Sequence, residues 1–401
     1  MSQDIARASQ QRLASANRVV VKVGTNTVTG PMGEVCVERV APIVRAIAEL
    51  KHAGRQFVLV SSGAVGLGAG RLALPRARLK DLVVRQACAA IGQNLLMNAY
   101  EQMFGAHDVK IAQLLLTEDD FGERRRYQNL RSTMEKLLKF GVVPIVNEND
   151  PVSTAELEYV SESPGRIFGD NDRLAALVMS KLEADALVLL TDVDGLLAGR
   201  VREVTKTKAS SMSDEGEVIP FVSRITPELR ALASGPSTGG RGGMLSKIAA
   251  AEIAMRAGGI AVIANGKRPD TLGRIFAGEA VGTVFLSSSR MHGKRRWIAY
   301  ASIVRGRVTV NAGARDAILQ RKASLLSSGV ISIEGDFESQ DVISISDTEG
   351  REIARGMASC TRKEIQHLIA RSPGGTQDGS TSGQKGRIFV PRDNIVILEE
   401  L

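Results

Sequence analysis

The sequence predicts an α/β fold: an open, mostly parallel sheet with helices on both faces, followed by a smaller β-rich domain. Three observations carry this expectation. From residue 18 to residue 264, short apolar runs alternate with stretches of helical period. The runs are apolar almost throughout, as strands buried on both faces of a parallel sheet require. Beyond Trp297 the texture changes to short β-like pieces interrupted by two small helices. A chain of 401 residues exceeds one ordinary domain, and a hydrophobic share of 43 % is enough to build real cores.

The elements follow in order. Arg18–Gly24 is a valine-rich run and reads as the first strand, and Val37–His52 carries apolar residues at helical spacing. Phe57–Ser61 is the next strand, and a helical pattern runs from Leu79 to Met103. Lys110–Leu116 and Val142–Asn147 read as strands around a helix at Arg124–Phe140. Asn171–Leu182 reads as a helix, Ala186–Thr191 as a strand, Met244–Arg256 as a helix and Ile260–Ala264 as a strand. In the β-rich part the strands are expected at Arg307–Val310, Val330–Glu334, Asp341–Ser346, Arg351–Gly356 and Ile395–Leu398, with helices at Ala314–Gln320 and Thr361–Ile369.

These elements set the expected domains: 18–289 for the α/β part, 290–297 for a basic linker, and 298–401 for the β-rich part. Residues 1–17, rich in Ser, Ala and Arg without an apolar centre, are expected to be a disordered tail and not a secretory signal. Residues 372–386 (SPGGTQDGSTSGQKG) are of low complexity and are expected to form a disordered loop.

Composition narrows the function classes. Aromatic residues are only 4 %, too few for base-stacking surfaces. Residues 290–401 hold 17 basic and 13 acidic side chains, and that excess lies wholly in Arg290, Lys294, Arg295 and Arg296. The net charge of +8 is otherwise diffuse and outlines no nucleic-acid stripe. No apolar run reaches the roughly 18 residues of a membrane span. Cys36, Cys88 and Cys360 lie far apart with no C-x-x-C, a pattern of reduced cytoplasmic thiols and not of a zinc site.

The chemistry concentrates in a glycine-rich stretch and at strand ends. Gly235–Lys247 reads GPSTGGRGGMLSK and leads straight into a helix. Glycines let backbone N–H groups approach an anion, a helix N-terminus adds unpaired donors, and Lys247 adds a charge in the first turn. A flexible linker is the bland alternative. The stretch is not a Walker A loop, since no G-x-x-x-x-G-K-[ST] occurs in the chain. In open α/β sheets ligands bind beyond the carboxyl ends of the strands. Here those ends read Lys22-Val23-Gly24-Thr25, Ser61-Ser62-Gly63-Ala64, Asn147-Glu148-Asn149-Asp150 and Thr191-Asp192, and Gly169-Asp170-Asn171-Asp172 opens a helix. Each alone could be a turn or a cap; together they point to one ligand crevice.

Such a crevice offers two lysines, several Asp and Asn groups and glycine backbone. All four histidines lie outside the motifs, and no Ser–His pair suggests a covalent intermediate. Phosphoryl transfer needs positioning and charge stabilisation more than covalent help. A carboxylate acceptor, with a pKa of about 4.3, needs no general base at neutral pH.

In this order the motifs resemble the amino-acid kinase family, specifically its branch that phosphorylates L-glutamate. The resemblance rests on residues 21–25, 61–64, 146–150, 168–172, 190–192 and 242–247 and covers nearly the whole chain. The part after Trp297 resembles the PUA domain that many bacterial members carry. The resemblance implies the amino-acid kinase fold and a cytoplasmic enzyme that moves the γ-phosphoryl group of ATP, with Mg²⁺, onto the γ-carboxylate of L-glutamate in the first step of proline biosynthesis. By position, Lys22 and Lys247 would stabilise the transferring group and Asp172 would orient them. Lys22, Thr191, Asp192, Arg241, Gly242, Gly243, Met244, Leu245, Ser246 and Lys247 would hold ATP. Ser62, Asn147, Asp150, Asp170 and Asn171 would hold glutamate, and no protein-built metal site is implied.

Inhibition by proline, a homo-oligomer (dimer or tetramer) and transient contact with a separate glutamyl-phosphate reductase are further implications of the family. Two departures from its pattern stand out: Arg241 and Leu245 replace small hydroxyl residues, and Leu197-Ala198-Gly199-Arg200 lacks the usual aromatic residue and Asp-Pro, which bears on adenine and ribose contacts. The alternatives are another carboxylate or phosphate kinase of the same fold and an RNA-binding role for the PUA-like part, the latter disfavoured by its balanced charge.

Overall fold

The computed structural model describes residues 9–117, 119–152, 171–197, 217–232, 243–286, 293–301, 304–370 and 387–398. The chain divides into two compact units, one drawn from residues up to Arg290, the other from Met291 onward together with Phe121–Arg124.

The first unit is built on one sheet. Its strands are β1 (Arg18–Val23), β2 (Gln56–Ser61), β3 (Ile111–Leu116), β4 (Val143–Glu148), β5 (Ala186–Thr191), β6 (Phe221–Val222), β7 (Ile260–Asn265) and β8 (Thr283–Leu286), in the spatial order β3-β4-β2-β1-β5-β7-β8-β6. Neighbours are parallel except β7 and β8. The mostly parallel sheet expected from the apolar runs is therefore present. The helices are α1 (residues 9–14), α2 (Thr25–Val28), α3 (Val37–His52), α4 (Ala64–Arg71), α5 (Leu82–Gly105), α6 (Asp119–Gly122), α7 (Arg124–Lys139), α8 (Asn171–Leu182), α9 (Pro227–Leu232), α10 (Met244–Arg256) and α11 (Thr271–Phe276). None of the described helices is long and apolar enough to cross a membrane.

β1 lies at the centre, between β2 and β5. Because side chains alternate along a strand, Val19, Val21 and Val23 enter the core that includes Ile43, Val44 and Ile47 of α3, while Lys22 faces the opposite side, where α8 packs. α8 is buried along nearly its whole length, so residues in its first turn are held rigidly against the strand ends.

Helix α4 is absent from the sequence expectation, and the reason is its composition. Three of its eight residues are glycine, which weakens a helix by roughly 1 kcal/mol each relative to alanine. Packing supplies what propensity does not. α4 lies against α5 so closely that a side chain on Gly68 would collide with the Cys88 carbonyl, and one on Gly92 with the Ala64 carbonyl. The short elements β6, β8, α9 and α11 also escape the pattern reading.

The N-terminal expectation is corrected from residue 9 onward. Residues 9–14 are helical, and Ser9, Leu13 and Ala16 are buried in the first unit. Two apolar anchors give no periodic signal, so the segment reads as a tail although it packs as an element. Residues 1–8 lie outside the described residues.

The second unit holds α12 (Gly293–Arg296), a helical turn at Trp297–Ala301, β9 (Val304–Val310), α13 (Ala312–Arg321), β10 (Leu325–Leu326), β11 (Val330–Gly335), β12 (Val342–Ser346), β13 (Glu352–Met357), α14 (Arg362–Ala370), β14 (Ile388–Val390) and β15 (Ile395–Ile397). Five strands form a sheet in the order β11-β9-β12-β13-β15, and β10 pairs with β14. Val308, Ile343, Ile345, Ile353 and Phe389 fill its core. The expected basic linker is corrected here. Gly293–Arg296 and Trp297–Ala301 are helical, Trp297 and Ile298 are buried, and the Trp297 indole donates to the Phe121 carbonyl at 3.2 Å. The segment opens the second unit and does not merely join two units. Residues 372–386, the expected low-complexity loop, lie outside the described residues.

One buried charge stands apart from every motif. Lys181, in the last turn of α8, is 1 % exposed. Its Nζ has no hydrogen-bond partner among the described residues and lies over the ring of Tyr127 on α7. Burial, reinforced by the charge of Arg131 and opposed by Glu135, pushes its ammonium down to about 6. The unfolded chain therefore binds this proton more tightly than the folded one. Between about pH 6 and the ordinary lysine value, stability rises with pH. Lys181→Met is expected to raise the urea midpoint at pH 6, by about 1–3 kcal/mol in stability, and to flatten that rise. A wild-type slope in the variant would show that the amine is not buried in this way.

Candidate functional site

One strand end and two helix starts meet around one carboxylate. Asp172, in the first turn of α8, is fully buried. Lys22 Nζ on β1 lies 2.8 Å from its Oδ1, and Lys247 Nζ in the first turn of α10 lies 3.0 Å from its Oδ2. Both lysines are only 7 % exposed. Ser246 Oγ donates to the same Oδ2 at 2.9 Å and lies equally close to the Gly243 carbonyl. Burial alone would push the Asp172 carboxyl up. The charges of Lys22 and Lys247 and their hydrogen bonds outweigh burial and hold it below the ordinary aspartate range. The carboxylate is thus a fixed anion that aligns two cations, and it is poorly suited to accept a proton.

The neighbouring residue organises a second cluster. Asn171 Nδ2 donates to Ser62 Oγ at 2.7 Å, to the Ser61 carbonyl at 3.1 Å and to Asn147 Oδ1 at 3.1 Å. Asn147, at the end of β4, donates in turn to Gln93 Oε1 on α5 at 2.9 Å. The ends of β2 and β4 and the start of α8 are therefore joined by amide hydrogen bonds directly beside the lysine–carboxylate cluster. Asp150 opens a 3₁₀ turn just beyond β4 and is half-buried.

The N-termini of α4 and α10, at this end of the sheet, carry no side-chain cap. The N-cap of α4 is Gly63, at φ +110°, a left-handed conformation that favours glycine at this strand-to-helix turn. The N-cap of α10 is Gly243. A helix N-terminus without a side-chain cap favours an anion beside it.

A third group stands at the ends of β5 and β7, where Thr191 and Asn265 are paired in register. Thr191 Oγ1 donates to Asp192 Oδ1 at 3.2 Å. Asn265 Nδ2 donates to Asp194 Oδ1 at 2.8 Å, and Arg268 Nη2 lies 2.6 Å from Asp194 Oδ2. Asp192 is exposed, Thr191 and Met244 are half-buried, and Leu245 is exposed.

Of the residues expected from sequence, Lys22, Asp172, Ser246 and Lys247 thus form one cluster, and Ser62, Asn147 and Asn171 a second that adjoins it. Thr191 and Asp192 stand at the next strand end. Asp170, Arg241 and Gly242 lie outside the described residues. Gln93, Asp194, Asn265 and Arg268 are additional members. Asn265 carried a usable signal, since it closes β7 as Thr191 closes β5, one residue past the expected end of that strand. Gln93 carried none, being one of several polar residues along a long helix.

Comparison with known proteins gives a consistent picture. Residues 17–264 match the model of the amino acid kinase family, and residues 306–372 match that of the PUA domain. A glutamate 5-kinase of Moorella thermoacetica is 42 % identical over 395 residues, covering 98 % of this chain and 99 % of the relative. A glutamate 5-kinase of Myxococcus xanthus is 45 % identical over 359 residues, covering 89 % of this chain and 90 % of the relative. One of Caldanaerobacter subterraneus is 41 % identical over 386 residues, covering 95 % and 98 %.

Proposed function

The chain belongs to the amino acid kinase family, and on that premise we propose that it phosphorylates the γ-carboxylate of L-glutamate with ATP, the opening step of proline biosynthesis. The observation that carries this reading is the buried Lys22–Asp172–Lys247 cluster lying against the Asn171–Ser62–Asn147 cluster. The first suits the charge of a phosphoryl group in transfer; the second suits a small polar acceptor held beside it.

The acceptor oxygen forms the new P–O bond, the bond to the departing diphosphate breaks, and ADP leaves with that electron pair. A carboxylate acceptor arrives ionised, so the site needs no base. Lys22 and Lys247 stabilise the negative charge as it spreads over the phosphoryl oxygens. Asp172 fixes where the two ammonium groups point. Gly243, Met244, Ser246 and the N-terminus of α10 receive phosphate oxygens, with Arg241, Gly242 and Leu245 completing the loop, while Thr191 and Asp192 border the nucleotide. Ser62, Asn147, Asp150, Asp170 and Asn171 hold glutamate.

Among the described residues no group of three or more His, Cys, Asp and Glu is arranged to cage a metal ion. A Mg²⁺ bound with ATP would be held mainly by nucleotide phosphates and water and would supply charge neutralisation there. Proline inhibition at the glutamate pocket, a homo-oligomeric state and hand-over of the acyl phosphate to a reductase belong to the same proposal.

Trapping with hydroxylamine tests the reading. With ATP–Mg²⁺, hydroxamate is expected with L-glutamate and not with acetylglutamate or aspartate, and proline is expected to suppress it. Hydroxamate formation that ignores glutamate would overturn the proposal.

A further inference from the structure

The polarity of the amide chain beside the site is fixed by its one backbone member. A carbonyl oxygen can only accept, so the Asn171 atom 3.1 Å from the Ser61 carbonyl is the amide nitrogen. That nitrogen also reaches Ser62 Oγ and Asn147 Oδ1, so its two hydrogens are directed into this corner. Asn171 Oδ1 is then turned the other way as an acceptor. Asn147, accepting with its oxygen, must donate with its nitrogen, and the partner it meets is Gln93 Oε1 at 2.9 Å.

Gln93 is 8 % exposed, and its Nε2 is buried without a hydrogen-bond partner among the described residues. Leaving a buried amide donor unmet is costly, so this side chain is held where it is for its oxygen. α5 backs the same corner a second time. Two turns on from Gln93, Tyr100 OH lies 2.8 Å from Ser61 Oγ. Burial pushes that phenol up to about 12, against the opposing effect of its hydrogen bond with Ser61, so it stays protonated.

We infer that Gln93 is a positioning residue for the acceptor: through Asn147 it holds the Asn171 carboxamide with its oxygen presented to the ammonium group of an amino-acid substrate. This deepens the proposed function and rests on it. Gln93 acts through Asn147, its hydrogen-bond partner, and selects for acceptors that carry an ammonium group next to a carboxylate.

The test compares wild type, Gln93→Leu and Gln93→Glu on L-glutamate and on glutarate, which lacks the ammonium group. Gln93→Leu is expected to raise the KM for glutamate by about tenfold, the order of one lost hydrogen bond, with the KM for ATP unchanged. Its preference for glutamate over glutarate is expected to fall by a similar factor. Gln93→Glu keeps an acceptor for Asn147 and is expected to restore most of the preference, even where burial of the new group lowers the melting temperature. A purely structural role would lower stability in both variants and leave the preference intact, which would overturn the inference. So would equal changes in both KM values. Wild type inactive on glutamate would instead overturn the proposed function itself.

Discussion

Replacing Lys247 by alanine is expected to lower kcat by about 10²–10³-fold, the usual loss when one preorganised donor to developing charge is removed. The fold should survive. Asp172 keeps Lys22 at 2.8 Å and Ser246 at 2.9 Å, so its carboxylate remains paired. The first turn of α10 is anchored independently by Ile248, Ala250 and Ala251, all buried. The KM for glutamate should change little, since the pocket proposed for it is organised through Asn171 and not through Lys247. Steady-state kinetics with a urea titration separates the two effects. Near-normal turnover in a folded variant would remove Lys247 from the role assigned to it. Lys247→Arg is not expected to rescue, because a planar guanidinium cannot occupy the position of a compact ammonium 3.0 Å from Oδ2 without moving the carboxylate.

Much of this site is legible in the sequence because it is built at points where physical constraints are strict. A lysine in a valine run such as Val19–Val23 has no solvent to reach, so it must meet a counter-charge. Asn171–Leu182, Ala186–Thr191 and Met244–Arg256 occupy the bounds that apolar spacing predicts, and each begins or ends on a residue of the site. What the sequence does not disclose is held by contacts between distant segments. Helix α4 exists because Gly68 and Gly92 allow its backbone to lie against α5, a fact that neither segment carries alone. Leu13 fixes residues 9–14 through burial and not through periodicity. Gln93 acquires its meaning only from Asn147, which is remote in the chain and 2.9 Å away in space.

The same reasoning gives Asp172 the larger structural weight. Asp172→Asn removes the anion and leaves two ammonium groups around a neutral amide, each 7 % exposed in the native protein. Breaking a buried ion pair by deleting one partner costs about 3–5 kcal/mol, because the remaining charge has lost both water and its partner. Here two charges are stranded, and they repel each other. The variant is therefore expected to lose more stability than Lys247→Ala and at least as much activity, since neither lysine keeps its position.

The pH dependence follows with its sign. The Asp172 carboxyl is held below the ordinary aspartate range, so the stability it confers is complete above that range and is lost only as pH falls through the depressed value. Wild type should show this loss in acid unfolding and the variant should not. Being buried, the cluster is also poorly screened, so added salt should leave the stability gap between the two proteins in place. Equal acid unfolding curves for wild type and Asp172→Asn would mean that the carboxylate does not hold the lysines. A normal kcat in that variant would mean that their alignment does not matter for transfer.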